Sequence, residues 1–324
     1  MKKIKSRFAP SPSGRMHLGN VYSALLSWLS ARSQGGEWIL RIEDLDPQRC
    51  KREYAVQLED DLRWLGLDWD AGGIEDARYV QSQRYDIYQT YLDKLTALGL
   101  TYPCYCSRAD IMATQAPHES DGRIVYQGTC RPDGTPERAA WLAHRAASCP
   151  HAPAIRLQVP DRDICYTDLH YGAQRVNLAE ACGDFILRRA DGAWAYQLAV
   201  VVDDALMGVT EVVRGRDLLL SVPQQLWLYQ LLDLQAPVFA HIPLLCNEQG
   251  QRLCKRDQSL HMGVLRDRYT PQQLLGLIAY YAGLIDRTTP LSAQELIPLF
   301  DWAHIPTHDI QVPASLSDLP HSTM

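Results

Sequence analysis

The stretch Arg7-Phe-Ala-Pro-Ser-Pro-Ser-Gly-Arg-Met-His-Leu-Gly-Asn20 constrains this chain more than any other. Before it runs a short basic and apolar segment, Ile4 to Phe8, of strand character. After it Val21, Leu25, Leu26, Trp28 and Leu29 recur at helical spacing. A strand that passes through a glycine- and proline-bearing turn into a helix is a place where phosphates bind. Gly14 and Gly19 let the backbone approach a ligand, and Pro10 and Pro12 stiffen the loop. A helix beginning near Gly19 aims amide groups and the positive end of its dipole at an anion. His17 adds a side-chain donor beside that anion. A His-Leu-Gly tripeptide alone is more often a plain helix start with a surface histidine, so the rest of the chain has to decide.

Trp38 to Ile42 reads as a second strand with Glu43, Asp44 and Asp46 at its carboxyl end. Ligands of open α/β sheets collect there, which places Glu43 to meet a substrate ammonium group. Ala55, Leu58, Leu62 and Leu65 form the apolar stripe of one helix, and Tyr85, Tyr88, Leu92, Leu95 and Leu98 that of another, closed by Gly66 and Gly99. This β-α-β-α alternation implies an α/β fold with a doubly wound parallel sheet. Further on, strands are expected at Asp184 to Arg189 and at Gly208 to Val213, the latter leading into Arg214. A helical stretch from Tyr196 to Val202 lies between them and ends in Asp203 and Asp204. Leu218 to Leu234 reads as one long amphipathic helix, Val238 to Leu245 as a last strand. The final helical stretches are Gln272 to Gly283 and Ala293 to Phe300.

Between Thr101 and Cys182 the periodicity is weak and proline is frequent, with one strand candidate at Ala154 to Val159. Cys104 and Cys106, one residue apart, can grip a single metal ion, and Cys130 supplies a third thiolate. By ordinary ligand chemistry His118 is a candidate for the fourth position. With every ligand drawn from protein, such a site folds an insertion rather than performing chemistry. Cys50, Cys149, Cys165, Cys182 and Cys246 have no ligand-like spacing and read as packing residues.

A chain of 324 residues, 46% hydrophobic, can bury a large core and divide into two or three units. Lys2, Lys3 and Lys5 are not followed by the apolar run of an export signal, and no apolar run approaches a membrane span. A cytoplasmic location without membrane contact is expected. The net charge of −6 argues against a nonspecific nucleic-acid coat and leaves room for a local RNA-binding face. Of the 32 basic residues 26 are arginine, whose planar fork suits phosphate and carboxylate.

Arg7 to Gly14 with His17-Leu-Gly-Asn20, then Arg41-Ile-Glu-Asp-Leu-Asp46, Val201-Val-Asp-Asp204, Val213-Arg-Gly-Arg-Asp217 and Arg252-Leu-Cys-Lys-Arg256 form an ordered series. In order and spacing it resembles the class I glutamyl-tRNA synthetases. The resemblance implies a Rossmann-like catalytic core (1–100 and 183–245) interrupted by a zinc-bearing lobe (101–182) that handles the acceptor end of tRNA. A basic loop and a short helical region (246–324) would follow. It implies ATP on His17, Gly19, Asn20 and Lys255, with His17 and Lys255 stabilising charge during catalysis and Mg²⁺ on the phosphates. Glutamate would lie among Arg7, Phe8, Ala9, Pro10, Ser11, Glu43, Tyr196 and Arg214, its amino group on Glu43. The late loop departs from the family's Lys-Met-Ser-Lys-Ser or Lys-Leu-Ser-Lys-Arg, with Arg252 for the first lysine and Cys254 for serine. One branch of the family binds a structural Zn²⁺ with Cys-x-Cys and Tyr-x3-Cys. That set implies Cys104, Cys106, Tyr126 and Cys130, with His118 the competing fourth ligand.

Only 69 residues follow Lys255, fewer than an anticodon-reading domain needs. A glutamyl-type core of this length resembles the short paralogous family of glutamyl-Q tRNA(Asp) synthetases. That resemblance implies tRNA-independent activation of L-glutamate and its attachment to queuosine at the wobble position of tRNA(Asp), by a monomer. The sequence leaves two rivals: a compact glutamyl-tRNA synthetase charging a tRNA 3′ end, and a catalytically silent paralogue that binds RNA or an amino acid.

Overall fold

The alternation read over the first hundred residues folds as a parallel sheet flanked by helices. β1 (Lys5–Phe8), α1 (Leu18–Ser33), β2 (Glu37–Leu40), α2 (Arg52–Leu65), β3 (Ala71–Gly72) and α3 (Tyr85–Ala97) follow one another. β2 pairs in parallel with β1, Arg7 opposite Ile39, and with β3 on its other side. The computed structural model describes residues 3–107, 110, 125–253 and 260–313. α1 is buried along most of its length, from Leu18 through Ala31, which makes it the central helix of the first core cluster. α2 stops at Gly66, whose φ of 75° is the left-handed conformation that ends a helix cheaply only with glycine. At Gly36 a Cβ would meet the Ile4 carbonyl oxygen at 2.7 Å, so the return from α1 into β2 has room for glycine alone.

The middle of the chain departs from the expected layout. β4 (Thr101–Cys104), α4 (Pro136–Ser148) and β5 (Ala154–Leu157) are followed by a hairpin, β6 (Asp163–Asp168) and β7 (Gly172–Asn177), and by β8 (Phe185–Arg188). The strand expected at Asp184 to Arg189 does not rejoin the parallel sheet. It pairs antiparallel with β5, which pairs antiparallel with β4, giving a separate three-stranded sheet. β6, inside the segment read as an insertion, reaches the main sheet instead.

The second half of the main sheet contains α5 (Tyr196–Leu206), β9 (Glu211–Gly215), α6 (Val222–Leu231) and β10 (Val238–Ile242). β9 and β10 pair in parallel with Arg214 opposite His241, and β10 pairs in parallel with β6 through Phe239 and Asp168. The Thr210 amide donates to the Lys5 carbonyl at 2.9 Å and the Lys5 amide to Thr210 Oγ1 at 2.8 Å, which seats β9 against β1. The order is therefore β3, β2, β1, β9, β10, β6, β7, and it reverses between β1 and β9. A crevice opens at the carboxyl ends of strands at such a switch point. Phe8 to Pro10 leave β1 there, and Arg214 lies inside β9 rather than after it, because the strand starts later than the apolar run suggested.

Proline accounts for three other differences. The expected helix Leu218 to Leu234 is a 3₁₀ segment, Arg216–Ser221, followed by α6, because Pro223 fits only the first turn of a helix. Pro243 ends β10 before a two-residue strand, β11 (Leu245–Cys246). Pro298 turns the last stretch into a short helix, Ala293–Leu296, and a 3₁₀ turn. The C-terminal segment packs α7 (Met262–Arg268) and α8 (Pro271–Tyr281) on the α1 core, and β12 (Ile310–Gln311) pairs in parallel with β11. Among the described residues no helix is long and apolar enough to cross a membrane.

Candidate active site

A cavity of about 340 Å³ lies at the switch point. Arg7, Phe8, Ala9, Pro10, Ser11, His17, Gly19, Asn20, Glu43, Tyr196 and Arg214 all line it, so the residues expected for glutamate and ATP share one space. Arg252 and Asp217, an ion pair, form part of the rim. Lys255, Cys254 and His118 lie outside the described residues.

His17 is the N-cap of α1. Its Nδ1 accepts from the Gly19 amide at 3.1 Å, while Asn20 Oδ1 accepts from the His17 amide at 3.1 Å, a reciprocal cap. Because Nδ1 is an acceptor, the neutral ring carries its proton on Nε2. The spacing His-x-Gly has a steric cause, since a Cβ on residue 19 would meet His17 Cε1 at 3.0 Å and push the ring out of its cap. The Gly19 amide is thus taken by the histidine rather than left open for an anion as the sequence suggested. His261-Met-Gly263 repeats the arrangement, with Gly263 donating to His261 Nδ1 at 3.1 Å, and the two histidines form an antiparallel bridge. Sequence reasoning missed this pair, although the repeated tripeptide was visible.

Beneath the cavity three guanidinium groups face three carboxylates. Arg41 is wholly buried, and Arg41 and Glu43 lie two residues apart, which puts both side chains on one side of the chain. Arg41 donates to Glu43 Oε1 at 3.1 Å and to Asp204 Oδ1 at 2.6 Å, and stands 3.8 Å from Asp203 Oδ2. Arg7 reaches Asp204 Oδ1 at 3.3 Å. Asp203 in turn accepts from Arg84 at 2.7 Å, Gln81 at 2.8 Å and Tyr88 at 2.9 Å. Burial alone would push the Asp204 carboxyl up, but Arg41 and Arg7 outweigh it and hold it below the ordinary range. For Glu43 burial wins, and the carboxyl is raised despite Arg41 and Arg7. A cation entering beside Glu43 would favour its ionised form.

Arg214 is also buried but is differently partnered. It donates to Gln225 Oε1 at 3.0 Å, His241 Nε2 at 3.1 Å, the Tyr196 hydroxyl at 3.2 Å and the Leu218 carbonyl at 3.3 Å. None of these partners is a carboxylate. Unlike Arg7 and Arg41, it touches no carboxylate and meets Asp204 only through space, so its charge faces the cavity without a direct counter-ion, an arrangement that a substrate carboxylate would relieve.

A second cluster lies in the antiparallel lobe. The sulfur atoms of Cys104, Cys106 and Cys130 lie within 4.8 Å of one another and could hold a metal ion. The Tyr126 hydroxyl oxygen stands 3.4 Å from Cys104 Sγ and 3.8 Å from Cys106 Sγ, and it accepts from the Cys130 amide at 2.7 Å. Tetrahedral zinc with Zn–S of about 2.3 Å places its ligand atoms about 3.5 to 3.8 Å apart, close to the two distances from the Tyr126 oxygen and to the 3.5 Å between Cys106 Sγ and Cys130 Sγ. The Tyr126 backbone is pressed against Gly183, where φ is 60° and a Cβ would meet the Tyr126 carbonyl oxygen at 2.3 Å. Cys50, Cys149, Cys165, Cys182 and Cys246 are free thiols outside the cluster.

The chain matches the family of tRNA synthetases class I (E and Q), catalytic domain, over residues 3–302. It is 49% identical to a glutamyl-Q tRNA(Asp) synthetase of Symbiobacterium thermophilum over 95% of this chain and 95% of that protein. It is 45% identical to one of Nitratidesulfovibrio vulgaris over 97% of each. Among solved structures it is similar to a glutamate tRNA ligase of Elizabethkingia meningosepticum in complex with its amino acid. The TM-score there is 0.79 at 29% identity, covering 96% of this chain and 67% of that one.

Replacing Asp204 by asparagine leaves Arg41 and Arg7 facing an amide in a buried site. The expected loss is about 3 to 5 kcal/mol at pH 7, measured by urea unfolding. The sign with pH follows from the lowered Asp204 value. Its contribution is complete above about pH 4 and is lost as the pH falls through the folded-state value, so the wild type should be the more acid-sensitive of the two.

Proposed function

Because the chain belongs to the class I tRNA synthetases (E and Q), among the glutamyl-Q tRNA(Asp) synthetases, we propose that it activates L-glutamate with ATP and passes the glutamyl group to queuosine in tRNA(Asp). The observation that carries this reading is the cavity itself, where one uncancelled guanidinium, one buried acid and a histidine-capped helix share about 340 Å³. The amino-acid side-chain carboxylate pairs with Arg214, which has only neutral partners, and the ammonium group with Glu43. Arg7, already paired with Asp204, offers the second guanidinium, and Phe8, Ala9, Pro10, Ser11 and Tyr196 close the pocket.

In this arrangement the α-carboxylate oxygen attacks the α-phosphorus of ATP in line, the bond to the β-phosphate oxygen breaks, and pyrophosphate leaves with the electron pair. Such a transfer needs positioning and charge stabilisation rather than a protein nucleophile. His17, its proton held on Nε2, donates to developing negative charge, and Gly19 and Asn20 shape the nucleotide's seat. Lys255 is assigned to the phosphates on its sequence position. Mg²⁺ bound with ATP supplies further positive charge on the phosphates. A hydroxyl of queuosine then attacks the carbonyl of the mixed anhydride and AMP leaves. A second cavity of about 450 Å³ adjoins the first and shares Ser11, Ser13, Glu43 and Tyr196 with it; Arg49, Arg189 and Trp194 among its lining suit an RNA nucleoside.

The cluster in the lobe is assigned to one structural Zn²⁺ on Cys104, Cys106, Tyr126 and Cys130. The backbone hydrogen bond accepted by the Tyr126 oxygen supports the phenolate over His118. The lobe read as 101–182 is assigned to tRNA through the sheet of β4, β5 and β8, while β6 and β7 go with the catalytic halves read as 1–100 and 183–245, and the basic loop and short helical region fall at 246–324. The working form is assigned as a cytoplasmic monomer.

The purified protein should exchange pyrophosphate into ATP with glutamate and without tRNA. Mass spectrometry of tRNA(Asp) nucleosides from cells lacking it should show loss of glutamylated queuosine alone. Exchange that requires tRNA, or unchanged nucleosides, would overturn the reading. Metal analysis should find about one zinc per chain, removed by Cys130→Ala together with a fall in melting temperature.

A further inference from the structure

An acid bonded directly to Arg214 would offset the charge that a substrate carboxylate needs, and the strand beside it shows how the side chain is held without one. We infer that Asp168 and His241 are positioning residues for Arg214: the carboxylate fixes the imidazole as its Nδ1–H form, and the bare Nε2 orients the guanidinium without cancelling its charge. The inference rests on the glutamate reading for its purpose, though not for its geometry.

The proton positions follow from who can donate. Arginine has no acceptor, so the 3.1 Å contact between Arg214 Nε and His241 Nε2 requires a bare Nε2. The proton of the neutral ring is then on Nδ1, which stands 2.6 Å from Asp168 Oδ2. An imidazolium would set N–H against N–H. Burial and the neighbouring Arg214 also push His241 below its ordinary value, which keeps the ring neutral. Both His241 and Asp168 are almost wholly buried, and the register of the sheet sets them. Arg214 and His241 are direct partners between β9 and β10, and Asp168 is the β6 partner of Phe239, two residues from His241.

Asp168 is itself fixed by three backbone amides on its other oxygen. Oδ1 accepts from Tyr171 at 2.9 Å, His170 at 3.0 Å and His241 at 3.2 Å. This makes Asp168→Asn an informative change. Asparagine keeps its oxygen on those three amides and must therefore turn its NH₂ toward His241 Nδ1. The ring proton is driven to Nε2, where it meets the Arg214 N–H, and the guanidinium swings away while the fold's own hydrogen bonds to Oδ1 survive. An acid in place of His241 would have held Arg214 as well but would have cancelled the charge that a substrate carboxylate needs.

Two measurements test this. In tRNA-free pyrophosphate exchange, Asp168→Asn should raise the glutamate KM about tenfold or more while the ATP KM stays within about twofold and kcat at saturating glutamate within about threefold. His241→Gln, which retains a neutral acceptor, should raise the glutamate KM less than Asp168→Asn does. An unchanged glutamate KM in Asp168→Asn, or glutamate and ATP constants that rise together, would overturn the inference. Independently of any activity, long-range ¹⁵N correlation spectra of the histidine-labelled wild type should show His241 protonated on Nδ1 alone. A proton on Nε2 would overturn it even if every variant failed to fold. Should the wild type show no exchange with glutamate, the functional reading fails while the spectrum still decides the geometry.

Discussion

The structure depends on a guanidinium sealed from solvent. Arg41 lies between Glu43, Asp203 and Asp204, and through them three parts of the chain are tied at one point. Glu43 comes from the end of β2, the two aspartates from α5, and Arg7, also on Asp204, from β1. Removing charges from water costs several kcal/mol each, recovered only when every partner is in position. The network therefore acts as a geometric constraint, since any shift of α5 against the sheet would strand a buried charge. Two of its members, Arg7 and Glu43, line the cavity at the switch point.

That balance gives Arg214 its meaning. Around Arg41 charge is cancelled, whereas Arg214 is surrounded by an amide, a phenol, a carbonyl and an imidazole. The same fold thus builds one arginine set that is structural and one arginine that awaits a ligand. The difference lies in whether the neighbouring strand contributes a carboxylate directly or places it behind a neutral ring. His17 shows the related device at the other end of the cavity, where a helix cap fixes which ring nitrogen carries a proton.

Much of this was legible in the sequence because the information is local. The strand, turn and helix around Arg7 to Asn20, the parallel alternation and the cysteine spacing are each set by residues near one another, and the expected lining residues other than Lys255 do meet in one cavity. What was not legible is long-range. Asp168 lies in a segment read as an insertion, and its pairing with β10 is a matter of sheet register that composition cannot show. The strand at Phe185–Arg188 has the same apolar character whether it joins the parallel sheet or the lobe. Arg41, Asp203 and Asp204 were visible as motif members but had no role until the fold brought them within hydrogen-bond reach. Pro223 and Pro298 were readable signals that helical periodicity overrode.

The most direct measurement of the central claim is equilibrium binding of glutamate and glutamine by calorimetry, in the wild type and in Arg214→Gln, with a non-hydrolysable ATP analogue present. If Arg214 carries the uncancelled charge, the wild type prefers glutamate by about a hundredfold and the variant loses most of that preference by weakening glutamate alone. Equal binding of the two amino acids by the wild type, or a preference untouched in the variant, would contradict it.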